Sequence, residues 1–268
     1  MASVVAAVIS LRRNRVILFV AGFAALTFLP TANLLFPIGA IMAERFLYLP
    51  AIALSVSVVM ALYALPRTPP WFIPIALCAI ASALAIRTWV RNADWRDDLS
   101  LARATVRTSP GSYKGHTLLA LALYNSHADI DGVVTEAEKS IEPLNPLPDL
   151  RNFAPPYQQA GLFYLVKGDA LLTRDADGGT VPAAARQAFE RSREVLERCD
   201  AIVQAYNRRE NELARARGGA EIKPLRYADM YRMLSVVELR LGDAAHARDH
   251  ANYALALSPF SARKPTDN

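Results

Sequence analysis

The chain has 268 residues, of which 53% are hydrophobic and 21% are charged, and its formal net charge is +5. This composition excludes a disordered protein, because disordered segments are poor in apolar residues. Two cysteines, Cys78 and Cys199, are too few for a disulfide framework or a multi-cysteine zinc site.

The excess positive charge lies in the first third of the chain. Residues 1–91 hold seven arginines against one acid, Glu44, a net charge of +6, whereas the remainder holds 23 bases against 24 acids, a net charge of −1. Sparse arginines that flank apolar runs are typical of membrane segments, whereas a nucleic-acid-binding domain clusters its basic residues on one face. We therefore expect a membrane partner and no nucleic acid.

Three apolar runs predict about three membrane-spanning helices, near 16–30, 46–65 and 71–90, within a membrane domain of residues 1–91. The second and third runs each correspond to about 30 Å of helix, enough to cross a bilayer. The first, Val16–Leu29, is shorter, and we interpret it as a short or tilted span, with a signal sequence as the alternative.

Topology follows from the arginines near the start of the chain. Arg12, Arg13 and Arg15 favour a cytoplasmic start, and three spans then lead to an exit on the other side. Arginine outnumbers lysine 25 to 5, a bias typical of high-GC bacterial genes. The expectation is an integral multi-pass protein of a bacterial inner membrane, with its C-terminal domain in the periplasm.

Residues 92–268 predict an all-α domain of helical hairpins, because no sustained strand alternation occurs. The hairpins are similar to tetratricopeptide repeats (TPRs), with units near 112–146, 157–217 and 226–260. The last unit carries the 34-residue TPR pattern at Tyr231, Leu234, Gly242, Ala247, Ala254 and Pro259.

The middle unit repeats the pattern with a longer connection. Its packing positions are Tyr157, Gly161, Tyr164, Ala185 and Phe189. We expect Gly168 at the turn, a polar loop near 173–181, and a long, solvated amphipathic second helix that could alternatively pair with a partner helix. The first unit is weaker, with Leu118, Ala137 and Ser140 at approximate packing positions.

One segment is more specific than a generic membrane loop. Asn33–Pro50 reads NLLFPIGAIMAERFLYLP and resembles the segment N-L-x-F-P-[IV]-G-x-x-x-A-E-R-x-L-Y-L-P of the transmembrane and TPR-containing protein O-mannosyltransferases. Arg91–Asp97, RNADWRD, resembles the R-x-x-x-W-x-[DN] stretch that leads into the TPRs of that family. The resemblance covers about residues 16–146, and the later repeats in kind only.

The resemblance implies a GT-C-type glycosyltransferase. Members of the family take mannose from a polyprenyl-phosphate donor and transfer it to Ser or Thr hydroxyls outside the cytoplasm. Their catalytic acids are expected in an external loop near the N-terminus, which this sequence does not show. Its catalytic residues are therefore unknown, and we expect the C-terminal part of such a protein, a fragment or a reduced relative, which does not catalyse transfer alone.

Within the motif, Glu44 and Arg45 are the candidates for binding the donor phosphate. The guanidinium of Arg45 could form paired hydrogen bonds to a phosphate, with Glu44 orienting it. The alternative is an interfacial ion pair that fixes helix depth and packs Tyr48. Asn33, Pro37, Gly39 and Tyr48 are expected to shape the motif.

No cofactor beyond the implied donor, and no metal, is expected. His246 and His250 have the spacing i, i+4, but no metalloprotease-type glutamate accompanies them, so we interpret them as part of a solvated helix face. The alternative function is a membrane-anchored TPR scaffold for protein–protein interaction outside the cytoplasm. In either case, the TPR surface is expected to bind a polypeptide partner or acceptor.

Overall fold

A computed structural model of the chain describes residues 15–29, 44–174, 181–218 and 227–257. Within these ranges every regular element is a helix, which confirms the all-α class. The chain divides into two compact units, Met1–Val90 and Arg91–Asn268, called below the N-terminal unit and the C-terminal unit.

The N-terminal unit is built from three apolar helices. They are α1 (Arg15–Phe28), α2 (Tyr48–Tyr63), which follows a 3-10 turn at Glu44–Leu47, and α3 (Phe72–Asn92). Helices α1 and α2 contact each other. Their side chains are largely exposed, and the buried residues of the three helices are Ala53 and Ile73.

Length and composition single out one of these helices as a candidate membrane span. Within the described ranges, Phe72–Trp95, which extends α3 by a short 3-10 turn, is long and apolar enough to cross a bilayer, with a mean hydropathy of 1.8. Helices α1 and α2 are apolar but shorter. The expectation of three spans is therefore met in part, because α1 has 14 residues and α2 has 16, whereas a helix needs about 20 residues to cross a bilayer.

The C-terminal unit contains seven α-helices in its described residues. They are α4 (Asp98–Thr108), α5 (Tyr113–Asn125), α6 (Ile130–Ile141), α7 (Ala154–Arg174), α8 (Ala183–Ala216), α9 (Ala228–Leu241) and α10 (Ala244–Leu257). Each helix contacts the next along the chain, and α7 also contacts α9. This order is that of stacked helical hairpins, and their assignment as TPRs stays a prediction.

Local signals fix several helix ends. The side chain of Asp97 accepts a hydrogen bond from the Ser100 backbone N–H at 2.7 Å and caps α4, and Ser112 caps α5 in the same way. Gly242 ends α9 with a φ of 90°, a left-handed conformation that glycine adopts without steric cost.

One continuous core joins α5 to α10. Its largest fully buried side chains include Tyr157, Phe163, Phe189, Leu196, Met230 and Leu234. A smaller cluster of Ala102, Leu119 and Ala122 joins α4 to α5. The core therefore runs through the successive hairpins, as expected for helices that each leave one apolar face for the next.

Two residues lie differently from the expectation. Gly168 is inside α7, six residues before its end at Arg174, because this helix continues beyond the length of the repeat pattern. Leu118 is 51% exposed, and its neighbour Leu119 enters the core instead. Ala137 and Ser140 are buried in α6.

Candidate functional site

The motif that carries the family resemblance is described from Glu44 onward. The backbones of Glu44 and Arg45 form the 3-10 turn immediately before α2. Tyr48 is the first residue of α2 and is 76% exposed. Asn33, Pro37 and Gly39 lie outside the described residues, as does Pro259. Donor binding by Glu44 and Arg45 and the alternative of an interfacial ion pair both stay predictions.

The expected packing residues lie between the hairpins of the C-terminal unit. Buried in its core are Tyr157, Ala185, Phe189, Tyr231, Leu234, Ala247 and Ala254. Gly161 and Gly168 allow α7 to lie directly against α8. A Cβ atom on Gly161 would lie 2.5 Å from the side chain of Leu196, and one on Gly168 would lie 2.3 Å from the ring of Phe189. A side chain at either position would force the two helices apart.

A polar cluster ties three helices together. Arg191 of α8 donates two parallel hydrogen bonds to the carboxylate of Glu138 in α6, Nε to Oε1 at 2.8 Å and Nη2 to Oε2 at 2.9 Å. The hydroxyl of Tyr164 in α7 donates to the same carboxylate at 2.8 Å. Paired guanidinium–carboxylate bonds fix both distance and orientation, so the cluster sets how α6, α7 and α8 pack.

Burial and hydrogen bonding oppose each other at this carboxylate. Burial raises the pKa of Glu138, but the hydrogen bonds from Arg191 and Tyr164 outweigh it and leave the pKa below its ordinary value. Burial and the hydrogen bond to Glu138 both raise the pKa of Tyr164. The carboxylate is therefore ionised and the phenol protonated at neutral pH, as the geometry requires.

A groove runs along the surface formed by α7 and α8. Two adjoining cavities of about 530 Å³ and 340 Å³ share Arg191 and Glu194 in their linings. Helix α8 lines them with residues three or four apart, which lie on one face of a helix. These residues are Ala184, Gln187, Arg191, Glu194 and Arg198. Helix α7 contributes Tyr157, Tyr164 and Leu171, and we call this surface the α7–α8 groove.

The basic residues of the groove are held by acids that do not line it. Lys167 lies 2.6 Å from Asp131, Arg191 is bound by Glu138, and Arg198 contacts Asp149. The groove also contains an ordered amide, because the hydroxyl of Tyr157 donates to Asn145 Oδ1 at 3.0 Å. The positive charges are thus largely neutralised from outside the groove.

The last hairpin has a second polar cluster. The hydroxyl of Tyr231 donates to Asp200 of α8, and the amide of Gln204 donates to the same hydroxyl at 3.2 Å. Glu238 is buried and accepts a hydrogen bond from His250 Nδ1 at 2.8 Å.

The interpretation of His250 as part of a solvated face is wrong. Its ring is half-buried and stacks on Tyr231 with 5.8 Å between the ring centroids, because the buried carboxylate of Glu238 needs a hydrogen-bond donor. His246 is exposed and pairs with Asp243 at 2.7 Å. The two histidines bind different carboxylates, and the described residues contain no cluster of three metal-ligating side chains.

His116 forms hydrogen bonds that the sequence pattern did not predict. It is buried, with Nδ1 2.6 Å from Glu136 Oε2 and Nε2 2.8 Å from the carbonyl of Pro110. Lys139 binds the other oxygen of Glu136 at 2.8 Å. Burial raises the pKa of Glu136, but its hydrogen bonds with Lys139 and His116 outweigh this and lower it, so the carboxylate forms an ion pair with Lys139.

Comparisons with known proteins found relatives that match part of the chain. No family model matches it. Over 129 residues it is 33% identical to protein O-mannosyl-transferase Tmtc2 of Drosophila melanogaster, which covers 47% of the chain and 14% of that protein. Part of this chain is therefore similar to the TMTC protein O-mannosyltransferases. The resemblance predicted from Asn33–Pro50 and Arg91–Asp97 is thereby confirmed.

Further TMTC relatives give the same result. Protein O-mannosyl-transferase Tmtc3 of Drosophila melanogaster is 32% identical over 120 residues, 43% of this chain and 13% of that protein. Protein O-mannosyl-transferase TMTC4 of Mus musculus is 32% identical over 106 residues, 39% of this chain and 14% of that protein. The match is partial, since the chain spans only 13–14% of the length of these relatives.

Proposed function

We propose that the chain is the membrane and TPR-like portion of a protein O-mannosyltransferase-like protein and does not catalyse transfer alone. The observation that carries this proposal is the set of partial matches to TMTC proteins at 32–36% identity. The three apolar helices of the N-terminal unit are its membrane-embedded part. The C-terminal unit lies on the non-cytoplasmic side, where acceptor polypeptides are available.

In this proposal the N-terminal unit contributes to the site of a polyprenyl-phosphate sugar donor. Arg45 lies at the start of an apolar helix, where a guanidinium at the membrane surface can bind a phosphate through paired hydrogen bonds. Glu44 would orient it or contact a sugar hydroxyl. Catalytic acids would come from other parts of the complete enzyme.

A chimera tests the proposed function. The chain replaces the matching 129-residue segment of Drosophila melanogaster Tmtc2, and transfer of mannose from a polyprenyl-phosphate donor to a Ser/Thr peptide is measured in membranes. We expect the chimera to retain transfer and Arg45→Ala to reduce it at least tenfold, about the value of a lost charged hydrogen bond. Arg67→Ala, between α2 and α3, is the matched control and should remain active.

Two outcomes contradict parts of the proposal. A chimera that inserts normally but transfers no mannose would overturn the transferase role and favour the membrane-anchored scaffold, which the α7–α8 groove also supports. Full activity of Arg45→Ala would remove the phosphate role and leave the interfacial ion pair.

Orientation is tested separately by labelling with a membrane-impermeable maleimide. In a Cys78→Ser background, Gly111→Cys lies between α4 and α5 and Thr68→Cys lies between α2 and α3. We expect labelling of the first from the non-cytoplasmic side and of the second from the cytoplasmic side. The reverse pattern would overturn the proposed topology.

A further inference from the structure

The α7–α8 groove has the dimensions of a short extended peptide. The face of α8 from Ala184 to Arg198 extends for about 21 Å, given the rise of 1.5 Å per helical residue. An extended polypeptide of about six residues spans the same distance. The groove is open along its length, so a chain can lie in it without threading.

The two ends of the groove offer hydrogen-bonding groups suited to a peptide backbone. Gln187 lines one cavity and is exposed, with no hydrogen bond from its amide to any described residue. At the other cavity Asn145 uses its Oδ1 to accept from Tyr157, which leaves its Nδ2 free to donate among the described residues. Such side chains satisfy the C=O and N–H groups of an extended chain.

The charge of the groove is negative when each ion pair is counted with both partners. Its basic residues Lys167, Arg191 and Arg198 are matched by Asp131, Glu138 and Asp149. Three further carboxylates line it, Glu190, Glu194 and Glu197.

Nearby arginines reduce this excess but do not remove it. Arg191 also donates to Glu194, and Arg193 lies 3.9 Å from Glu197. With Arg193 included, and also Arg186, which lines a cavity together with Glu190, the cluster has six acids and five bases, a net charge of −1. Glu190 has no partner among the described residues.

We propose that the α7–α8 groove binds an extended basic segment, rich in lysine or arginine, of the acceptor polypeptide. The basic side chains of such a segment would contact Glu190, Glu194 and Glu197 along one face of α8. Its backbone would contact Gln187 and Asn145. This inference rests on the proposed function, since it names the class of polypeptide that the C-terminal unit recruits.

Peptide binding to the full chain tests the inference. The chain is placed in phosphatidylcholine nanodiscs, whose neutral lipid does not attract a basic peptide, and binding is measured by fluorescence anisotropy at low salt. The probes are a fluorescein-labelled octapeptide of alternating lysine and serine and its counterpart of alternating glutamate and serine. We expect the lysine peptide to bind in preference, with an affinity that falls at high salt because the contacts are exposed.

Matched variants locate the site. Glu190→Gln/Glu194→Gln should weaken binding of the lysine peptide about fivefold, as for loss of two exposed ion pairs. The double variant Glu142→Gln/Glu212→Gln, which removes the same charge outside the groove, should leave it unchanged. Because E190K/E194K reverses the charge of two exposed residues, it should bind the glutamate peptide instead.

Equal binding of both peptides, or equal losses in the two glutamine variants, would overturn the inference. The proposed function is judged by a different measurement. Mannose transfer by the chimera together with no preference for the lysine peptide would contradict the basic-segment inference alone. Loss of transfer together with selective binding would contradict the transferase role and leave the groove as the peptide site of a scaffold.

Discussion

The two units of this protein differ in whether their apolar side chains are exposed or buried. Helices α1 to α3 leave most of their side chains exposed and bury only Ala53 and Ile73. Helices α5 to α10 share a continuous core in which Phe163, Phe189 and Met230 are fully buried. Apolar side chains are stable when they are covered either by an apolar solvent such as lipid or by other helices. The net charge of each unit indicates which of the two covers its helices.

The largest expected effect tests the close packing of the C-terminal unit. Gly168→Ala places a Cβ atom 2.3 Å from the Phe189 ring and should destabilise the chain by about 3 kcal/mol, a typical overpacking cost. Gly132→Ala in α6 is the matched control, because nothing lies within 4 Å of the added atom, and it should be neutral or slightly stabilising. Thermal unfolding in micelles, followed by circular dichroism, measures both. Equal stability of the two variants would refute the close approach of α7 and α8.

A pair of exposed leucines tests the difference in environment directly. Leu84 of α3 is 59% exposed and Leu239 of α9 is 63% exposed. If bilayer lipid covers α3, Leu84→Asp should oppose insertion by about 3 kcal/mol, whereas Leu239→Asp should have little effect. Alkaline extraction of membranes gives the fraction inserted. If the two variants had equal inserted fractions, the claim that α3 and α9 lie in different environments would be wrong.

The Glu138 cluster gives a pH-dependent prediction of intermediate size. Because the pKa of Glu138 is lowered in the folded state, the stability that it contributes is present above the unfolded value, about 4.3, and is lost as pH falls through the folded pKa. Glu138→Gln should destabilise the protein by about 1–2 kcal/mol at pH 7 and flatten this acid dependence. Glu212→Gln on exposed α8 surface should change neither. Urea titrations from pH 7 to pH 3 measure the difference.

The smallest expected effect concerns His246. The hydrogen bond to Asp243 raises the pKa of His246, so its favourable contact is complete below the unfolded pKa and is lost as pH rises through the folded one. In an NMR titration its midpoint should lie above that of a free histidine and should fall in Asp243→Asn. An unchanged midpoint in that variant would show that another group causes the shift.

Local patterns predicted most elements of the fold but not how far each one extends. Cap residues such as Asp97 and Ser112, and the turn at Gly242, act within a few residues of the chain, so the sequence contains them directly. Gly168 was placed at a turn because the repeat pattern puts a small residue there. The structure places it inside α7, where the absence of a side chain lets this helix lie against Phe189 of α8.

The candidate site was less predictable than the fold. Arg191 and Glu138 are separated by 53 residues, and His116 and Glu136 by 20, so no local spacing signals either pair. The basic and acidic residues of α8 predicted a solvated face. They did not indicate which of these charges are neutralised by residues of other helices. The charges that stay unneutralised give the α7–α8 groove its net negative charge.

By itself the sequence determined the helical class, the division between a basic apolar part and a neutral charged part, and the partial similarity to TMTC proteins. These follow from composition, periodicity and short motifs, which depend on neighbouring residues. Only the tertiary structure decided that Glu238 and His250 form a buried pair, that Gly161 and Gly168 admit the neighbouring helix, and that Arg191 is held by Glu138. Those features depend on contacts between residues that are distant in sequence and become neighbours only when the helices pack.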